Sequence, residues 1–314
     1  MVRAFKIKVP ASSANIGPGY DVLGVGLSLF LELDVTIDSS QAQETNDDPN
    51  NCKLSYTKES EGYSTVPLRS DANLITRTAL YVLRCNNIRN FPSGTKVHVS
   101  NPIPLGRGLG SSGAAVVAGV ILGNEVAQLG FSKQRMLDYC LMIERHPDNI
   151  TAAMMGGFCG SFLRDLTPQE VERREIPLAE VLPEPSGGED TGLVPPLPPT
   201  DIGRHVKYQW NPAIKCTAII PQFELSTADS RGVQPYRKTL IPGLTEILSC
   251  VTPSTYPGLL GICLSGAGPT ILALATENFE EISQEIINRF AKNGIKCSWR
   301  LLEPAYDGAS VEQQ

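Results

Sequence analysis

Between Pro104 and Ala115 the chain reads Pro-Leu-Gly-Arg-Gly-Leu-Gly-Ser-Ser-Gly-Ala-Ala, and no other stretch restricts the fold as much. Glycines at 106, 108 and 110 allow tight turns and let backbone N–H groups approach a ligand closely. Ser111 and Ser112 follow where a helix can start, and the Ala/Val-rich run to about Leu129 reads as a buried helix. Ahead of the loop, Val97 and Val99 mark a strand, followed by Asn101-Pro102-Ile103-Pro104. A helix N-terminus offers unpaired donors and a partial positive charge, which suits phosphate. Arg107 adds a full positive charge to the same place.

Several known phosphate loops do not fit. A Walker A loop needs a lysine in G-x-x-x-x-G-K-[ST], and none is here. Gly108 to Gly113 matches G-x-G-x-x-G, but a dinucleotide fold puts the first glycine directly after a strand, and a proline-bearing loop intervenes. The H-R-D and D-F-G motifs of protein kinases are absent.

The 314 residues suggest two domains, at about 150 residues each. A content of 41% hydrophobic and 19% charged residues belongs to a globular protein and excludes disorder. The net charge of −6 argues against a nucleic-acid or membrane partner. Eight scattered cysteines, never closer than Cys250 and Cys263, form no C-x-x-C pair and read as free buried thiols. The N-terminus interleaves charge with apolar residues and shows no secretory h-region. Ile247 to Thr276 carries no charge, but Pro253, Pro257 and Pro269 break it as a membrane span. A cytoplasmic protein is expected.

Phe5, Ile7 and Val9 alternate with lysines as a strand would, and Leu31 to Ile37 repeat the period. Asp71 is a candidate cap for a helix to about Asn86, and Ser132 for one to about Glu144. Strands are expected at Ile214–Ile220, Ile262–Leu264, Ile271–Ala275 and Ile295–Leu301. Asn278 with Glu281 resembles a capping box opening a helix that ends near Gly294. Pro183 to Gly203, with six prolines and four glycines, reads as an exposed insertion or linker. Strands and helices mixed with hairpin-length connections favour an α+β fold.

The loop P-x-x-x-G-L-G-S-S-G is similar to the ATP loop of the GHMP kinases. Two further segments resemble that family's other motifs: Pro10-Ala11-Ser12-Ser13-Ala14-Asn15-Ile16-Gly17-Pro18-Gly19-Tyr20-Asp21 and Leu264-Ser265-Gly266-Ala267-Gly268-Pro269-Thr270. With His146-Pro147-Asp148-Asn149, the pattern resembles the homoserine kinases of the group, the fungal ones most. The resemblance implies a ribosomal-S5-like domain over 1–165 and a ferredoxin-like domain over 166–314, the latter carrying the 183–203 insertion. It also implies a homodimer that phosphorylates L-homoserine with ATP and Mg²⁺ in threonine biosynthesis.

The resemblance assigns nucleotide binding to Pro104, Leu105, Gly106, Arg107, Gly108, Leu109, Gly110, Ser111, Ser112 and Gly113. Asp21, Arg107 and Glu144 become catalytic, with Ser112 and Glu144 as Mg²⁺ ligands. Mg²⁺ favours few protein oxygens beside phosphates and water, so one hydroxyl and one carboxylate form a reasonable set. Asn15, Asp21 and Asn149 are implied to hold the amino acid. Arg231 and Arg237 are implied to bind its carboxylate, where a guanidinium gives a planar bidentate fit. Alternatives are a GHMP kinase for another small alcohol and a catalytically impaired nucleotide-binding relative.

One departure stands out. Ser226-Thr227-Ala228-Asp229-Ser230-Arg231-Gly232-Val233 runs straight into Gln234-Pro235-Tyr236-Arg237. The resemblance places about forty residues between these segments, and their loss leaves neighbouring amides and carbonyls to find new partners. Nucleotide binding is expected to persist while homoserine binding weakens.

Overall fold

The computed structural model describes residues 2–17, 19–45, 47–172, 192–223 and 241–314. Strand β1 (Arg3–Ala14) pairs antiparallel with β2 (Leu23–Ile37). Phe5, Ile7 and Val9 point inward and are fully buried, as their alternation predicts. On the other face Lys6 reaches Glu32 at 3.2 Å and Asp34 at 3.3 Å across the ladder. The register shifts between Pro10 and Ala11, where a proline that cannot donate is tolerated.

Strands β3 (Cys52–Tyr56), β4 (Thr95–Ser100), β5 (Phe158–Leu163), β6 (Gly203–Tyr208) and β11 (Ser310–Gln313) complete a seven-stranded sheet. Its order is β11-β1-β2-β4-β3, with β5 joining β2 to β6. Only the β3–β4 pair within it is parallel. Four helices belong to this half: α1 (Leu74–Cys85), α2 (Ser111–Ala127), α3 (Lys133–Glu144) and α4 (Pro147–Met155). Helix α2 contacts β1 and the other three helices, which is why it is apolar all round. A short helix, α5 (Pro168–Val171), opens on a capping box of Thr167 and Glu170.

A second sheet, in the order β10-β7-β9-β8, is antiparallel throughout: β7 (Lys215–Pro221), β8 (Leu259–Leu264), β9 (Ile271–Ala275) and β10 (Cys297–Leu302). Helices α6 (Leu244–Cys250) and α7 (Phe279–Lys292) share a core with it. Strand β7 is buried on both faces. Cys216, Ala218 and Ile220 join the large first core, and Ile219 joins the second. The expected α+β class is therefore present as two sheets packed through shared apolar side chains. Strands β6 and β11 lie within 166–314 yet hydrogen-bond into the first sheet, so the chain crosses between the two sheets more than once.

Three local expectations need correcting. Asn73, not Asp71, caps α1; its Oδ1 accepts from Ile75 N–H at 3.0 Å, while Asp71 pairs with Arg69. Asn278 does precede α7, but in a left-handed conformation with no side-chain cap, so no capping box forms. Of the 183–203 segment, residues 183–191 lie outside the described residues. The rest is not a free insertion: Pro195 and Pro198 are buried, Arg135 donates to Pro199 O, and the Asp138 carboxylate accepts from Asp201 and Ile202 N–H. Five of the eight cysteines are buried, Cys250 is exposed, and all are free thiols. Burial pushes the Cys216 thiol up to about 12, which makes it unreactive. Among the described residues no helix is long and apolar enough to cross a membrane.

Candidate active site

The three glycine- and serine-rich segments meet although they lie far apart in sequence. Ser12 N–H donates to Leu109 O at 3.1 Å, and Gly266 N–H donates to Ala14 O at 2.9 Å. Ser265 Oγ lies 2.6 Å from Gly108 O and 2.8 Å from Ser13 Oγ. The end of β1, the 104–113 loop and the β8–β9 turn are thus one hydrogen-bonded unit, and the two sheets join at it.

The loop's backbone needs glycine. Gly108 and Gly110 have φ of +80° and +67°, a region most side chains avoid. A Cβ on Gly108 would lie 2.2 Å from Ser265 O, and one on Gly110 would lie 2.2 Å from Ser12 Oγ. Between them Leu109 is fully buried and pins the loop to the core. Gly110 is the N-cap of α2 and supplies no side-chain acceptor, so the first N–H groups of the helix stay open to a ligand.

A cavity of about 850 Å³ opens here. Gly106, Arg107, Gly108, Gly110, Ser111 and Ser112 line it, with Leu105 beside them. Asn15, Glu144 and Asn149 line it too, and Glu144 and Asn149 lie directly against the loop. Pro104, Leu109 and Gly113 are buried and do not line the space. Asp21 is half-buried beside the lining residue Tyr20; its backbone N–H donates to Asn15 Oδ1 at 2.7 Å. Arg231 and Arg237 lie outside the described residues.

Ser112 Oγ donates to Glu144 Oε1 at 3.0 Å, so two oxygens from α2 and the last residue of α3 meet at the cavity wall. Helix α4 begins at Pro147, with His146 Nδ1 held 2.9 Å from Glu144 O. Asp148 is buried and accepts from Asn149 N–H at 2.7 Å, while Ser12 Oγ donates to Asn149 Oδ1 at 2.9 Å. Arg107 Nε is buried without a hydrogen-bond partner among the described residues, a donor that an anion would satisfy.

Sequence reasoning missed part of the cavity lining, where Tyr56 at the end of β3, Val66 in the loop that follows, and Leu74 and Ile75 at the start of α1 form an apolar wall. Asn73 Nδ2 donates to Tyr56 Oη at 2.9 Å there, and burial pushes the Tyr56 phenol up. Only a correct α1 cap would have signalled that wall. The edge strand β8 was also missed as a lining element; Ile262, Cys263 and Leu264 face the cavity, with Leu248 of α6 beside them.

A glycine cradle at a helix N-terminus, a hydroxyl–carboxylate pair and apolar side chains thus share one cavity, a set of groups suited to a phosphate-bearing ligand. Residues 73–157 match the family described as GHMP kinases N terminal domain, and residues 220–293 match GHMP kinases C terminal. The chain belongs to the GHMP kinases. It is 87% identical over 357 aligned positions to the homoserine kinase of Saccharomyces cerevisiae, covering 100% of both chains. The homoserine kinase of Candida albicans is 51% identical, covering 99% of each chain. With 314 residues here, at least 43 of those 357 positions (357 − 314) have no residue in this chain. That agrees in size with the segment expected to be absent. The crystal structure of homoserine kinase from Cytophaga hutchinsonii superposes with a TM-score of 0.67 at 20% identity, covering 98% of this chain and 97% of that one, a likeness of fold.

Proposed function

We propose that this chain transfers the γ-phosphoryl group of ATP to the side-chain hydroxyl of L-homoserine, giving O-phospho-L-homoserine on the route to threonine. The whole-chain likeness to the yeast enzyme is the observation that carries this reading. The cavity supports it chemically. Open N–H groups at the start of α2 and the 106–110 backbone receive the phosphates, and Arg107 offers its unpartnered Nε. The apolar wall of Tyr56, Val66 and Leu74 suits a planar base.

Among the described residues no group of three or more His, Cys, Asp or Glu side chains could hold a metal ion alone. The Ser112–Glu144 pair does fit Mg²⁺ completed by phosphate oxygens and water. When bound, that ion neutralises charge on the transferring phosphoryl group. Asn15 and Asn149 hold the acceptor at the cavity wall, and Asp21 pairs with its ammonium from the lip. A carboxylate is a weak base toward an alcohol, so we assign Asp21 to positioning and leave the hydroxyl proton to a phosphate oxygen or solvent. Arg231 and Arg237 are proposed to bind the carboxylate. Residues 1–165 are proposed as the nucleotide-holding domain and 166–314 as the domain that closes the cleft, in a cytoplasmic homodimer.

An acceptor panel tests the reading. With Mg-ATP, homoserine is expected to yield a phosphorylated product at a higher kcat/KM than mevalonate or galactose. A preference for either of those would replace homoserine with another small alcohol.

A further inference from the structure

Asn149 meets the phosphate loop directly. Its Oδ1 would lie 3.0 Å from a Cβ placed on Gly110, and its Cβ 3.3 Å from one on Gly113. The part of an acceptor beside that loop is the group that takes the phosphoryl. What Asn149 presents there depends on which way its amide points, because one end donates and the other accepts.

Ser12 decides this. It is fully buried at the end of β1, and its backbone N–H is already used by Leu109 O. Its hydroxyl donates to Asn149 Oδ1 at 2.9 Å and has no other acceptor among the described residues. A reversed amide would leave the buried Ser12 proton facing an NH₂ group with nothing to accept it. With Oδ1 occupied, Nδ2 is the end of this cavity-lining side chain left for a ligand, and it has no hydrogen-bond partner among the described residues.

Resting on the function proposed above, we propose that Ser12 is a positioning residue that locks the Asn149 amide with its N–H₂ toward the cavity. The acceptor hydroxyl is then held through an oxygen lone pair. Its proton points away from Asn149, and a second lone pair is free to attack phosphorus. Ser12 touches no substrate and acts only through Asn149.

A double-mutant cycle tests this. Ser12→Ala is expected to raise the KM for homoserine about tenfold and leave the Kd for ATP within about twofold. In an Asn149→Ala background, adding Ser12→Ala should change homoserine affinity by less than about twofold, read by kinetics or by calorimetry with a non-hydrolysable ATP analogue. An equal effect in both backgrounds, an unchanged KM, or a matching loss of ATP affinity would overturn the proposal. If Ser12→Ala does not fold, Asn149→Asp replaces the cavity-facing donor with an acceptor. It should weaken homoserine binding with ATP binding kept, and an unaltered KM would be contrary. A wild-type chain that does not turn over homoserine would contradict the proposed function and this inference together. Wild-type turnover with a purely additive cycle would contradict this inference alone.

Discussion

At the scale of single residues, the site depends on side chains that only the fold brings together. Ser112 and Glu144 are 32 positions apart in sequence and 3.0 Å apart in space. Each alone reads as an ordinary helix-end residue, and only the family resemblance joined them in the sequence. Ser12 and Asn149, 137 positions apart, gave no local signal that they bond. If Glu144 holds Mg²⁺ with the nucleotide, Glu144→Gln removes one charge at nearly constant shape. The expected result is a kcat lowered at least about tenfold, partly restored by Mn²⁺. Unaltered turnover across a magnesium titration would remove Glu144 from the metal site. Local chemistry also explains the misread cap of α1. Asp71 and Asn73 are both good cap residues, but Arg69 holds the Asp71 carboxylate and leaves Asn73 to cap.

At the scale of elements, the strongly periodic segments were legible. Ser132 caps α3, which ends at Glu144, and the alternation at 5–9 and 31–37 falls inside β1 and β2. Helix α2 was legible for a different reason, since a run without a polar face has to be buried. Strands β6 and β11 were not. Val206 and Tyr208 of β6 are exposed, β11 is four residues long, and both are ordered by partners far away in sequence. The 104–113 loop is the element proposed to hold the nucleotide, and Gly110 tests it. Gly110→Ala puts a Cβ 2.2 Å from Ser12 Oγ and 2.9 Å from Ser12 O in a left-handed residue. The backbone term alone costs about 1–2 kcal/mol. A lower Tm is expected, with ATP affinity reduced at least about tenfold by displacement of the α2 N-terminus. Calorimetry giving a wild-type ATP Kd would show that the loop does not carry the phosphates.

At the scale of the whole molecule, the two halves of the site differ. The proposed nucleotide side rests on the loop, α2 and the end of α3, all in the first half of the chain. The acceptor is proposed to be held by Asn15, Asp21 and Asn149 and, at its carboxylate, by Arg231 and Arg237, which flank the joint where 43 or more positions of the yeast relative are expected to be missing. A charge-assisted contact to the substrate carboxylate is worth about 1.5–3 kcal/mol, or roughly ten- to hundredfold in affinity. Restoring the missing segment between Val233 and Gln234 is therefore expected to lower the homoserine KM at least about tenfold and leave ATP affinity within about twofold. Equal kcat/KM in the two proteins would show that the segment is dispensable. The central claim, that the cavity beside Gly108–Ser112 moves a phosphoryl group from ATP to homoserine, has a direct test in the ³¹P spectrum of the reaction. With the unaltered chain, Mg-ATP and saturating homoserine, a phosphomonoester signal should grow in step with ADP, and Gly110→Ala should slow both together. ADP accompanied only by inorganic phosphate, or no change in the spectrum, would contradict it.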